Sequence, residues 1–163
     1  MKNLTLIALA FISLLTFGCT KDKQYVNCCF IPQNPSITAE KNSEMWIGTP
    51  EALKIDNDSI AITGRKTEQW LAMKIKFNGT GNYSLKGRQA IHYLTVGGDV
   101  TVAEYNLDDS ATNTLDIIHY DSDKGIITGR FNITLKLDYH YNSNNYPATV
   151  KFEKGAFTQL LAK

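Results

Sequence analysis

The sequence predicts an all-β fold, an antiparallel β-sandwich or small β-barrel of about 8–10 strands. Three observations carry that expectation. From Ser36 onward apolar residues alternate with period two, which places them on one face of a pleated strand. Clusters of Asn, Asp, Gly and Ser cut the chain into short runs. No stretch between those clusters repeats its apolar residues at three and four, as a helix would.

Taken in order, strands are predicted near 37–48, 58–65, 69–77, 82–85, 90–96, 101–106, 113–121, 125–141, 147–154 and 156–161. Asp56-Asn57-Asp58, residues that bond their own backbone, separates the first run from the second. In 69–77, Leu71, Met73, Ile75 and Phe77 share one face, while Trp70, Ala72, Lys74 and Lys76 share the other. Asn78-Gly79-Thr80-Gly81 and Gly97-Gly98-Asp99 supply residues that tolerate positive φ. The longest run sorts most cleanly. Ile127, Phe131, Ile133, Leu135, Leu137, Tyr139 and Tyr141 point one way; Thr128, Arg130, Asn132, Thr134, Lys136, Asp138 and His140 point the other. Asn142-Ser143-Asn144-Asn145 closes that run, and Pro147 opens the next, a position that spares a ladder hydrogen bond.

The beginning of the chain follows a different logic. Lys2 precedes LTLIALAFISLLTF, residues 4–17, an uncharged run of signal-peptide length that is short for a bilayer span. It ends in Gly18-Cys19, which resembles the lipobox of bacterial lipoproteins. The resemblance implies that residues 1–18 are a lipoprotein signal peptide and that Cys19 becomes the lipidated first residue. The protein would then be anchored in the cell envelope at the outer membrane, facing the periplasm or the surface. Acyl chains contribute about 0.8 kcal/mol per buried CH₂ and stable anchoring needs more than one chain, which a triacylated Cys19 would supply. Residues 19–36 read as the lipidated Cys and a flexible tether, marked by Pro32 and Pro35, leaving 37–163 as a single all-β domain. Thr20-Lys21-Asp22-Lys23 partly resembles the export tag of Bacteroidota surface lipoproteins, and reads equally as a solvated spacer. Cys28-Cys29 are adjacent; they match no zinc spacing and build no disulfide framework.

Several runs together resemble the uncharacterised all-β domains of Bacteroidota lipoproteins. They are Ser36-Ile37-Thr38-Ala39 with Trp46, Ser59 to Gly64, Gly81 to Leu85, Leu115 to Asp121, Ile127 to Ile133, and Lys154 to Phe157. The resemblance implies an architecture and an address. It brings no catalytic residue.

Charge and chemistry narrow the functional classes. The chain has 17 basic and 16 acidic residues, and the leader removes only Lys2, so no electrostatic footprint for nucleic acid exists. Three histidines could carry chemistry. His92 is in phase with Ala90, Leu94 and Val96, and reads as a metal ligand, a general base or a bonded core residue. His119 stands two positions before Asp121, and His140 lies on the polar face. Their spacing supports no zinc site. Asp121-Ser122-Asp123-Lys124-Gly125 resembles the opening of a calcium loop but lacks the distal Glu, and Lys124 adds a positive charge; a hairpin turn accounts for the same residues. No metal, cofactor or catalytic residue is assigned. Tyr139, Tyr141 and Tyr146 border the Asn-rich loop, a composition suited to a ligand surface for a glycan or protein partner. Three readings remain: a non-catalytic binding or structural module, a lipocalin-like carrier of a small apolar ligand, and a hydrolase with dispersed residues.

Overall fold

The computed structural model describes residues 34–56, 58–141 and 145–162. The leader, Cys19, Cys28, Cys29, most of the tether and Asn142, Ser143 and Asn144 lie outside the described residues. Ten strands form one sheet: β1 (Ser36–Lys41), β2 (Glu44–Lys54), β3 (Ser59–Lys66), β4 (Gln69–Lys76), β5 (Gly81–Ser84), β6 (Ala90–Val96), β7 (Val100–Leu107), β8 (Thr114–Asp121), β9 (Ile126–His140) and β10 (Thr149–Ala162). The sheet closes on itself through β1, which pairs with both β2 and β10, and through β9, which pairs with β10. The all-β expectation holds, and of its two forms the barrel is the one adopted.

The ring is an up-and-down barrel with one interrupted stave. β7 pairs with residues 135–140 of β9 and β8 with residues 126–132, so β7 and β8 run end to end along one side of it. β6 pairs with β4 and β7, while β5 pairs with β8 alone and is an edge strand beside it. Asn113 secures the break between β7 and β8. Its Oδ1 accepts the Thr134 N–H (2.8 Å), which falls between the two ladders, and its Nδ2 donates to the Asp108 carbonyl (2.8 Å). A buried amide hydrogen without that partner would cost about 1–3 kcal/mol.

Closure also explains Pro50 inside β2. On one side it pairs with Gly64 of β3. On the other, β1 has ended at the Ile37–Gly48 pair and β10 begins at the Leu161–Ala52 pair, where β2 and β10 run parallel. The missing N–H therefore falls in a gap in the ladder.

Inward positions are apolar and bulky. Trp46, Ile62, Leu71, Met73, Ile75, Tyr105, Leu115, Phe131, Leu135, Phe152 and Phe157 are all essentially fully buried. Trp46 lies against the wall over two glycines: a Cβ on Gly48 would come within 2.6 Å of its Cη2, and one on Gly64 within 2.7 Å. Outward positions carry Lys74, Lys76, Arg130, Lys136, Lys151 and Glu153, all exposed. Ile47, Leu53, Ile118 and Leu160 are exposed as well, so the outer surface mixes charged and apolar side chains.

Besides shifted strand ends, with β2 running on to Lys54 and β10 beginning at Thr149, two residues after Pro147, the sequence reading differs from the structure in three places. The run 37–48 is two strands joined by a tight turn, because Asn42 and Ser43 take positive φ (49° and 70°) with no glycine to signal it. The runs 147–154 and 156–161 are one strand, bulged at Lys154 (φ 52°), whose N–H is held by Asn132 Oδ1 at 2.8 Å. Finally, the β7–β9 register shifts between Glu104 and Tyr105, so Tyr139 pairs with outward Glu104 instead of continuing the inward series. Tyr139 and Tyr141 are exposed, on the outside of the barrel.

Candidate functional site at the barrel mouth

Strand direction gives the barrel two unlike ends. At one, here the mouth, stand the β1–β2, β3–β4 and β6–β7 turns, the end of β9 and the start of β10. At the other, the base, β1 begins at Ser36 and β10 ends at Ala162.

At the mouth the inward series turns polar on four consecutive strands. Lys41 follows Ile37 and Ala39 on β1, and Glu44 precedes Trp46 on β2. Lys66 follows Ile62 and Gly64 on β3, and Gln69 precedes Leu71 and Met73 on β4. These four side chains, with Asn42, Met45 and Trp46, line a pocket of about 230 Å³. Lys41 Nζ donates to Gln69 Oε1 at 2.8 Å, joining the first hairpin to the second. Burial, then the neighbouring Lys66 charge, lowers the Lys41 pKa to about 8 against an opposing pull from Glu44.

Beneath this layer the core is aromatic and incompletely bonded. Trp46 meets Phe152 edge-on at 5.4 Å, Phe152 meets His92 edge-on at 5.1 Å, and His92 tilts over Tyr105 at 5.8 Å. His92 Nδ1 lies 2.8 Å from the Trp70 carbonyl; a carbonyl only accepts, so Nδ1 carries the hydrogen and Nε2 the lone pair. Among the described residues, Trp46 Nε1, His92 Nε2 and Tyr105 Oη have no hydrogen-bond partner.

The remaining predicted residues are placed as follows. His92 is a core residue, walled off from solvent. Burial first, and Lys41 second, push its pKa down to about 3, so the ring is neutral. His119 borders a bulge on β8, and His140 stacks toward Tyr146 at 6.2 Å. Asp121 Oδ1 accepts the backbone N–H groups of Asp123 and Lys124, both at 3.0 Å, which makes 121–125 a hairpin turn. Tyr139 and Tyr141 stand on the outer rim at the mouth, with Met45, Val96 and Val100 also exposed there. Tyr146 is half-buried against the core. The four polar mouth residues escaped the sequence reading. A signal existed for two of them, since Lys41 and Gln69 end apolar period-two series with a polar residue in phase.

On the outer wall, Thr49, Pro50, Glu51, Thr63, Arg65 and Trp70 line a depression of about 440 Å³. The Arg65 guanidinium, 5.1 Å from the Trp70 ring centroid, stacks over the aromatic face there.

His92 makes the stability of the fold depend on pH. Its folded pKa lies below the ordinary 6.5, so the unfolded chain binds a proton that the folded chain refuses. The neutral-His contribution is fully present above pH 6.5 and is lost as pH falls toward about 3. Replacing His92 by Gln should flatten the stability profile within that window in urea titrations, while stability at pH 7.5 changes by a pH-independent amount.

Fold and site together define a small, mostly antiparallel sheet closing in a ring, with bulky apolar side chains at its inward positions and a polar pocket at one end. Residues 33–161 match a family described as Domain of unknown function (DUF6252), and the chain belongs to that family. No curated protein and no solved structure matches the chain.

Proposed function

We propose that the protein is a lipoprotein of the Bacteroidota cell envelope, anchored in the outer membrane through Cys19, whose barrel is a non-catalytic binding module. The observation that carries the reading is the contrast between the two ends. The chain enters the barrel at the base, where any tether from Cys19 joins it. The opposite end holds the pocket and an exposed apolar rim of Met45, Val96, Val100, Tyr139 and Tyr141. Apolar side chains gathered beside a polar pocket mark a contact surface better than scattered ones do. The partner on this reading is a glycan or a protein that meets the mouth. A carrier of apolar ligands would need free interior volume, yet large side chains occupy the inward positions. A hydrolase would need a cleft that clusters His with Asp or Glu and a nucleophile, and His92 is instead sealed in the core against Phe152 and Tyr105.

Metabolic labelling tests the anchor. Labelled palmitate should enter the wild-type chain, and Cys19→Ala should abolish labelling with the far-UV circular dichroism of the barrel unchanged. Equal labelling of the two proteins would refute the anchor.

A further inference from the structure

We propose that the pocket above Trp46 is a carboxylate site that takes a singly charged, hydroxylated acid the size of one uronic acid residue. The inference rests on the mouth being the binding end, and adds the chemistry of what binds there.

Charge sets the first condition. Lys41 and Lys66 contribute two positive charges to the lining and Glu44 one negative charge, which leaves a single positive charge to neutralise. A monoanion matches it; a phosphate dianion would leave an excess negative charge in a partly buried site. Hydrogen-bonding capacity sets the second. Gln69 Oε1 is occupied by Lys41 Nζ, so the Gln69 amide hydrogens remain as donors. Asn42 Oδ1 accepts the Lys151 N–H at 2.8 Å, which leaves that side chain its NH₂ group. Two ammonium groups and two amide NH₂ groups supply donors for a carboxylate, and Glu44 supplies an acceptor for hydroxyls.

Size sets the third condition. The pocket volume of about 230 Å³ is below the roughly 300–1,000 Å³ of drug-sized sites, so a single ring or residue is the scale that fits. Trp46, almost wholly buried, forms part of the lining and fixes the pocket depth from below.

The titratable groups nearest Lys41 are Lys66, Glu44 and His92, and His92 is neutral. Burial and Lys66 hold Lys41 to a pKa of about 8 in the free protein, and a bound carboxylate would raise it. Affinity therefore declines as pH rises through 8.

The test uses the full-length chain in a mild nonionic detergent at low ionic strength, with the two indole N–H signals resolved by ¹⁵N NMR. Glucuronate should shift the Trp46 indole signal saturably and leave the Trp70 signal in place, while glucose should shift neither. Lys41→Met and Lys66→Met should each weaken glucuronate about tenfold, the scale of one lost charge-assisted hydrogen bond. Lys66 is exposed, so its substitution keeps the test valid if Lys41→Met disturbs the fold. The proposal is overturned by any of four results: no saturable shift with glucuronate, an equal shift with glucose, tighter binding of glycylglycine or inorganic phosphate, or undiminished binding in the Lys66 variant. None of these results touches palmitate labelling at Cys19, so anchor and ligand assignment stand or fall separately.

Discussion

Phe131→Ala is expected to lower the unfolding free energy by about 3–5 kcal/mol, the range of buried aromatic truncations. The ring is 1% exposed and lies on β9, the stave that borders β7, β8 and β10 at once. It also packs against the backbone of Gly155: a Cβ there would come within 2.6 Å of three ring atoms. Removing the ring leaves a void at the bulge of β10, where strand pairing gives little freedom to collapse. Arg130, one position away and exposed, should cost only about 0.5 kcal/mol when cut to Ala. Asn132 is the wrong control despite its exposure, because its amide oxygen holds the Lys154 N–H. Urea midpoints of the two variants check the facing of β9; similar midpoints would contradict it.

Gly48→Ala is the second large effect. The added methyl would overlap Trp46 Cη2 (2.6 Å) and crowd the Arg65 backbone nitrogen (3.2 Å), and overpacking of this kind costs about 1–3 kcal/mol. The indole has little room to swing away, because the same Cη2 also lies close over Gly64 and the ring meets Phe152 edge-on at 5.4 Å. The cost should shrink in a Trp46→Phe background, where the smaller ring leaves room for the methyl. A double-mutant cycle in thermal unfolding measures that coupling, and strictly additive effects would mean that Trp46 does not lie over Gly48.

Most of the wall was legible in the sequence. The alternation along Ile127 to Leu137 and along Leu71 to Ile75 gives the facing directly, because a strand shows its environment at every second residue. Closure was not legible. A sandwich and a barrel both need one apolar face, and the deciding contact, β1 against β10, joins residues more than a hundred positions apart. Bulges were equally hidden. Asp138 looks like any polar residue in phase, yet the register shift beside it moves Tyr139 to the outside. Lys41, Glu44, Lys66 and Gln69 meet in one pocket only once β1 to β4 pair side by side; along the chain they are the polar ends of four strands.

A barrel that binds at its mouth should have a packed interior. Titration with a fluorescent fatty acid distinguishes this from a hollow barrel, because an apolar probe of that kind needs free interior volume. No saturable signal is expected, since the buried Leu135, Phe131 and Phe152 occupy the inward positions. Saturable one-to-one binding that Leu135→Trp abolishes would contradict a packed interior and make the protein a carrier.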